Sequence, residues 1–71
     1  MELMRLRQVR EKNKLSQVKV ANYLNCSQQV YSNYELGQRD IPTEMLIRLS
    51  NYFDVSVDYL LEISDNPQIN R

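Results

Sequence analysis

Helix breakers are scarce in this chain, and their scarcity is what most constrains its fold. Among its 71 residues only Gly37, Pro42 and Pro67 are strong breakers, and no long stretch alternates Val, Ile or Thr with polar residues. Helix is therefore the expected conformation for most of the sequence. A chain this short forms one small domain, near the lower limit at which a single core stabilises a fold without metal or disulfides.

Residues that can cap helices divide the chain into five predicted helices. Ser16, Ser27, Thr43 and Ser56 each precede a helical pattern, where a side-chain oxygen can accept a hydrogen bond from an otherwise unpaired amide. The predicted helices cover residues 2–13, 17–24, 28–35, 44–53 and 57–62. We expect residues 1–64 to form the domain and residues 65–71 a flexible tail, because "SDNPQINR" shows no periodicity.

Apolar residues fall on one arc of each helix when successive residues are placed about 100° apart. In the second helix this arc is predicted to hold Val18, Val20, Ala21 and Leu24, with Lys19, Asn22 and Tyr23 on the other face. In the fourth it collects Met45, Leu46, Leu49, Tyr52 and Phe53. The segment "VSVDYLL" is expected to close the core with Val55, Val57, Leu60 and Leu61.

Composition excludes several classes of function. Cys26 is the only cysteine and histidine is absent, which excludes an internal disulfide, a Cys/His zinc cluster and Cys/His or Ser/His catalysis. A Gly-rich phosphate loop and metal-ligand spacings are also missing. We therefore predict no enzyme, no metal, no cofactor and no small-molecule ligand. Without a long apolar run or a signal peptide, we expect a cytoplasmic protein that does not enter a membrane.

The net charge is zero, which by itself argues against a polyanionic partner. The charges are nevertheless sorted along the chain. Residues 1–19 carry six basic residues against Glu2 and Glu11, whereas residues 54–71 carry four acidic residues against Arg71. The sequence thus predicts a molecule with a basic half and an acidic half.

The stretch "NCSQQVYSNYELG", residues 25–37, combines a short turn with a polar helix face. The helical wheel places Val30, Tyr31 and Tyr34 on one arc, and the opposite arc is polar. Uncharged amides on such an arc match base edges in a DNA major groove, since Gln and Asn pair with adenine N6 and N7. Solvation of an ordinary surface helix is the alternative. The polar arc consists of Gln28, Gln29, Ser32 and Asn33.

Only "NCS" separates the second and third helices, as a helix-turn-helix requires. Asn25 suits the turn, because Asn adopts the left-handed conformation more readily than any residue except Gly. We interpret Cys26 as a small buried hydrophobe rather than a reactive thiol.

Arg10 falls on the apolar arc of the first helix, and a guanidinium there requires a carboxylate. Glu35, at the edge of the apolar arc of the third helix, can supply a bidentate partner that joins the two helices. Such a buried pair orients more than it stabilises. The alternative is two independent surface charges.

The ordered set of these features resembles the DNA-binding domain of phage-repressor and Cro-like (Xre-type) helix-turn-helix regulators. "LSQVKVANYLNCSQQVYSNYELGQRDIP" carries the resemblance, with Leu6, Val9 and Arg10 before it and "IPTEMLIRLSNYFDVSVDYLL" resembling the two closing helices of the family. The resemblance spans residues 5–62. It implies an all-α, compact five-helix lambda-repressor-like domain with the helix-turn-helix at helices 2 and 3.

The resemblance also implies roles for individual residues. Gln17 would clamp the DNA backbone, Gln28 and Gln29 would read bases, and Arg10 with Glu35 would form a structural pair. The remaining DNA-facing positions would be Ser27, Ser32 and Asn33, with phosphate contacts from Gln38 and Arg39. Three features depart from the family: Asn25 replaces the usual turn Gly, Tyr31 replaces a smaller aliphatic residue, and the net charge is low.

The sequence therefore predicts a sequence-specific transcriptional regulator, a repressor that binds a palindromic operator in double-stranded DNA as a homodimer. Helix 3 would enter the major groove while helix 2 crosses the backbone. Ile47, pointing away from the apolar arc of helix 4, is a candidate dimer contact. The rival hypothesis is a protein-interaction module, such as an antitoxin-like or bridging factor, which the acidic C-terminal end allows.

Overall fold

A computed structural model of the chain describes residues 2–69, and within them every regular element is an α-helix. The all-α, five-helix prediction is confirmed. The predicted bounds of the second helix agree with the structure, those of the third, fourth and fifth differ by one or two residues at one end, and the first helix is shorter than predicted at both ends. The helices are α1 (Met4–Lys12), α2 (Gln17–Leu24), α3 (Gln28–Leu36), α4 (Thr43–Phe53) and α5 (Val57–Leu60).

Three of the four predicted caps are present. The hydroxyl oxygens of Ser16, Ser27 and Ser56 accept hydrogen bonds from backbone amides three residues later, at 3.0 to 3.1 Å. Each serine has extended backbone angles. These bonds satisfy amides that have no partner inside the helix and so fix where α2, α3 and α5 begin.

The predicted cap at Thr43 is wrong. Pro42 occupies the N-cap position, with φ −61° and ψ 146°, and Thr43 is the first helical residue. The Pro42 carbonyl accepts from the amides of Met45 and Leu46 at 3.0 and 3.1 Å. Because the proline ring already fixes φ, the chain enters α4 without a side-chain cap.

A left-handed residue follows the end of every helix. Gly37 has φ 74°, and four residues other than glycine also have positive φ. These four are Lys14, Asn25, Asp54 and Glu62, with φ between 56° and 62°. The reversal of φ stops each helix and redirects the chain, which lets five short helices pack as one domain.

The five helices enclose one core. Leu6, Val20, Leu24, Tyr31 and Leu49 are fully buried. α1 is joined to the end of α3 by a backbone hydrogen bond of 2.9 Å from the Leu3 amide to the Glu35 carbonyl. Tyr31 and Tyr34 hold α3 to this core through its buried face. The other buried apolar residues are Leu3, Val9, Ala21, Tyr34, Leu46, Phe53 and Leu60.

The predicted arc of α2 is partly wrong. Val18 is 46% exposed, whereas Tyr23, expected on the outer face, packs against the core. At about 100° per residue both lie roughly 110° from the centre of the arc formed by Val20, Ala21 and Leu24. The difference arises because α4 covers the side of Tyr23. There the Tyr23 ring stacks on Tyr52 with centroids 4.0 Å apart.

The segment after α5 contacts the first helix and the α4–α5 turn. The Arg5 guanidinium lies 3.2 Å from the Asp65 carboxylate and 4.3 Å from the Tyr59 ring centroid. The Ser56 amide donates to the Pro67 carbonyl at 2.8 Å. The boundary between a domain at 1–64 and a tail at 65–71 stays a prediction, with residues 70 and 71 outside the described ones. No helix among the described residues is long and apolar enough to cross a bilayer.

Candidate nucleic-acid interface

A three-residue turn, residues 25–27, fixes α3 relative to α2. Asn25 adopts φ 60° and ψ 42°, as predicted, and the Cys26 amide donates to the Ala21 carbonyl at 3.0 Å. Cys26 is partly buried against the core. Burial raises the pKa of its thiol, and the positive charge of Arg39 offsets part of this rise. A thiol with a raised pKa is a poor nucleophile, so the residue acts as a small hydrophobe in the turn.

α3 has a buried face and a polar face. Tyr31, Tyr34 and Glu35 are buried, whereas Gln28 and Gln29 in the first turn are exposed. Ser32 and Asn33 are half-buried. The exposed amides thus lie at the N-terminal end of a helix that is fixed through its opposite face.

The amides of the polar face differ in their hydrogen bonding. The Gln29 side-chain nitrogen donates to the Asn33 oxygen at 3.2 Å. This bond holds both side chains and leaves the Gln29 oxygen and the Asn33 nitrogen for another molecule. Within residues 2–69 the Gln28 amide has no protein partner. Its donor and acceptor groups are therefore available to a ligand.

Ser27 combines two possible roles. Its hydroxyl oxygen accepts from the Val30 amide at 3.1 Å, and its O–H group is still free to donate. A serine at a helix N-terminus can in this way cap the helix and bind an anion, which the helix dipole also favours.

The predicted partners Arg10 and Glu35 form a bidentate ion pair. The Arg10 Nε lies 2.6 Å from one carboxylate oxygen, Oε2, and Nη2 lies 3.3 Å from the other, Oε1. The side chains are only 11% and 3% exposed, which excludes two independent surface charges. Arg10 Nη1 also donates to the Leu15 carbonyl at 2.9 Å. The hydrogen bond to Glu35 raises the pKa of Arg10 despite its partial burial.

Gln17 joins this ion pair, which the sequence did not predict. Its side-chain nitrogen, Nε2, donates to Glu35 Oε1 at 3.1 Å, and the residue is half-buried. Gln17 and Glu35 are separated by 18 residues, so no local pattern in the sequence indicates the contact. The first residue of α2 is therefore linked to the buried end of α3 and, through it, to α1.

The Tyr31 hydroxyl is the unusual group of this cluster. Its oxygen is buried and makes no hydrogen bond with the described part of the chain. It nevertheless lies beside Glu35 and Arg10. Burial raises the pKa of Tyr31 well above its ordinary value, the Glu35 carboxylate raises it further, and the Arg10 charge partly opposes both. The hydroxyl therefore remains protonated beside the Glu35 carboxylate.

Gln38 and Arg39 are exposed directly after the left-handed Gly37. The Gln38 amide donates to the Asn33 carbonyl at 3.0 Å, which closes the end of α3. Their side chains are thus carried on the loop that leaves α3, at the opposite end of the helix from Gln28.

The basic residues of the described ranges form two groups, those bonded to other groups of the domain and those without an ion pair. Arg5, Arg7 and Arg10 are paired with carboxylates. Arg48 lies 5.2 Å from the Tyr23 ring centroid and donates to the Tyr23 carbonyl at 2.7 Å. The other basic residues of the described ranges are exposed and form no ion pair there, which leaves them for an anionic partner. These are Lys12, Lys14, Lys19 and Arg39.

The sequence of the chain matches the helix-turn-helix family over residues 6–60. The match includes all five helices apart from the first residues of α1, and the chain belongs to this family. The resemblance to phage-repressor and Cro-like helix-turn-helix proteins is thereby confirmed.

Several curated relatives come from Bacillus subtilis (strain 168). The HTH-type transcriptional regulator ImmR is 44% identical over 57 residues, which cover 80% of this chain and 45% of ImmR. The uncharacterized HTH-type transcriptional regulator YqaE is 39% identical over 64 residues, or 90% of this chain and 55% of YqaE. The SPbeta prophage-derived uncharacterized HTH-type transcriptional regulator YonR is 36% identical over 58 residues, covering 82% of this chain and 54% of YonR. The chain spans about half the length of these relatives.

Proposed function

We propose that the chain is a sequence-specific DNA-binding transcriptional regulator that inserts α3 into the major groove and represses by occupying promoter DNA. The observation that carries the proposal is the unbonded Gln28 amide next to the Gln29–Asn33 pair, on the exposed N-terminal turns of a helix fixed through its other face. Amides that present both donors and acceptors can distinguish base pairs, which a lysine-rich surface cannot do.

The roles divide by chemistry. Gln28 and Gln29 read base edges, with adenine as the best partner of each amide. Ser32 and Asn33 lie further along the same face and contribute to the groove contact. Phosphates are bound by groups that can donate hydrogen bonds outside the groove. These are Gln17, Ser27, Gln38 and Arg39, of which Arg39 brings a full positive charge.

Two copies are required by the energetics of specificity. One good bidentate contact discriminates by about 1–3 kcal/mol, and one domain of this size reads only a few base pairs. A homodimer on a palindrome, with half-sites about one helical turn apart, roughly doubles the discrimination free energy. Family membership and the regulator names of the curated relatives support the proposal. Repression is inferred from the resemblance to phage repressors, and operator symmetry from the discrimination free energy that a dimer adds.

The test is selection of bound sequences from a random duplex DNA library, followed by a salt titration on the selected sequence. We expect a palindrome, and an affinity that falls steeply with salt because phosphate neutralisation releases counterions. A variant with Gln28 and Gln29 both changed to Ala is the matched control. It should keep the salt dependence and lose the sequence enrichment.

Two outcomes contradict the proposal in different ways. Enrichment of a single asymmetric site would reject binding of a dimer to a palindrome but would still support sequence-specific DNA binding. A lack of enrichment with no salt-dependent DNA binding would reject DNA as the partner. The acidic C-terminal segment would then favour the hypothesis of a protein-interaction module.

A further inference from the structure

Gln29 and Asn33 form a hydrogen-bonded pair on the polar face of α3. They are four residues apart, the spacing at which side chains on one face of a helix meet. Gln29 Nε2 donates to Asn33 Oδ1 at 3.2 Å. Gln28, which precedes Gln29 in the same exposed turn, has no partner within residues 2–69. Two adjacent glutamines of the proposed DNA-binding face therefore differ in how far their amides are held.

The direction of the bond determines which groups Gln29 has left for a ligand. A side-chain amide carries two N–H donors and one oxygen with two lone pairs. Because the bond to Asn33 uses one N–H of Gln29, a single N–H and the oxygen remain. Asn33 keeps both of its N–H groups and one lone pair. A bond in the opposite direction, from Asn33 to Gln29, would leave Gln29 with two donors.

Adenine and guanine require different groups from an amide in the major groove. Adenine presents one acceptor, N7, and one donor, N6–H, whereas guanine presents two acceptors, N7 and O6. The N–H and oxygen left on Gln29 match adenine. A bidentate contact with guanine needs both N–H groups of the amide, so Gln29 would have to release Asn33 to make it. Gln28 can turn its amide to suit either base, since no bond holds it.

Release of Asn33 is unfavourable inside the groove. Asn33 is half-buried in the free protein, and DNA bound to the same face would exclude more water from it. An Asn33 oxygen that loses its donor there becomes a desolvated acceptor without a partner, which is more costly than the loss of a bond in water. This penalty applies when Gln29 binds guanine and is absent when it binds adenine.

We propose that Asn33 is a positioning residue for base recognition, which restricts Gln29 to adenine by accepting one of its N–H groups and leaves Gln28 tolerant. The inference rests on the proposed function, in which α3 enters the major groove. At the base pair that Gln29 contacts, the protein should prefer adenine over guanine by roughly 5- to 50-fold, the ratio that one unsatisfied buried polar group gives. The preference should be smaller at the base pair that Gln28 contacts.

Asn33→Ala and Asn33→Asp separate orientation of Gln29 from overall affinity. The probes are the selected duplex and a copy in which guanine replaces adenine at the position whose enrichment Gln29→Ala abolishes. Asn33→Ala should reduce the ratio of the two affinities to that found at the Gln28 position, because no acceptor is then left without a donor. Asn33→Asp keeps an acceptor for Gln29 and should keep the wild-type ratio, while its negative charge weakens binding to both duplexes. Ser32→Ala, at the preceding half-buried position, is the control and should leave the ratio unchanged.

The ratio of affinities distinguishes this role from a structural one. Loss of a merely structural residue would weaken binding to both duplexes equally. An unchanged ratio in Asn33→Ala, or selection of guanine by Gln29 in the wild-type protein, would overturn the inference and leave sequence-specific DNA binding intact. Failure of the wild-type protein to enrich any sequence would overturn the proposed function and this inference with it.

Discussion

At the scale of single residues, Gln28 and Arg39 represent the two proposed kinds of DNA contact, base reading and phosphate binding. Gln28→Ala should cost about 1–3 kcal/mol on the selected sequence and little on random DNA, because only base edges carry sequence information. Arg39→Ala should weaken binding to all sequences similarly. The slope of the logarithm of affinity against the logarithm of salt concentration should fall in magnitude by about 1. The measurement is fluorescence anisotropy on both DNAs at several salt concentrations. Equal losses for Gln28→Ala on the two DNAs would reject base reading by that residue.

Tyr31 predicts an alkaline limit to stability. Its folded-state pKa is raised above the ordinary value of 10, so the unfolded chain loses this proton at a lower pH than the folded chain. The stabilisation is complete below pH 10 and is lost as the pH rises above it. The expected slope is about 1.4 kcal/mol per pH unit in the free energy of unfolding.

Urea unfolding between neutral pH and pH 11 or so measures this slope, with Tyr31→Phe as the variant that removes it. The Cys26 thiol, whose pKa is also raised by burial, acts in the same direction and is retained in both proteins. The informative quantity is therefore the difference between the two slopes. Parallel curves would show that Tyr31 ionises equally well in the folded state.

At the scale of helices and turns, Asn25 determines how α3 is presented. Its φ of 60° is costly for most residues and lowest in cost for Gly. Asn25→Gly should be neutral or slightly stabilising, and Asn25→Val should destabilise by about 1–2 kcal/mol. The measurement is the urea midpoint. Asn22→Val, an exposed position with helical angles three residues earlier, is the control and should cost only a few tenths of a kcal/mol or so.

A loss as large at Asn22 as at Asn25 would attribute the effect to β-branching and not to the left-handed turn. The structure gives a reason to expect a difference. Asn25 lies outside α2 and reverses φ, whereas Asn22 lies within the helix.

At the scale of the whole molecule, the dimer proposal identifies a surface outside α2 and α3. Ile47 on α4 is 50% exposed, as the sequence predicted. Ile47→Glu should weaken self-association and reduce cooperative filling of two half-sites, because a charge would replace an apolar contact. Sedimentation equilibrium and binding isotherms on one- and two-half-site DNA measure both effects.

Val18→Glu is the matched control for the self-association measurement. Val18 is 46% exposed, on α2, and has no place in the proposed dimer contact. Unchanged self-association in Ile47→Glu would remove this surface from the proposal. Equal losses in both variants would show a general effect of added negative charge instead.

The sequence by itself determined the features that depend on neighbours along the chain. Serine caps, a left-handed Asn25, the apolar arc of α3 and most of the arc of α4 arise from bonds and contacts within a few residues. Tyr52, predicted on the α4 arc, is 38% exposed. The Arg10–Glu35 pair was also predictable, since a guanidinium on an apolar arc requires a carboxylate. Thr43 failed as a cap because Pro42 meets the same local requirement by fixing its own φ.

Only the tertiary structure decided which neighbour lies beside each helix. Val18 and Tyr23 flank the arc of α2 symmetrically, and the position of α4 alone buries one and exposes the other. The bond from Gln17 to Glu35 and the burial of Tyr31 beside that carboxylate have the same origin. Helical periodicity gives the direction of a side chain from its own axis, whereas a contact between helices also depends on where the second axis passes.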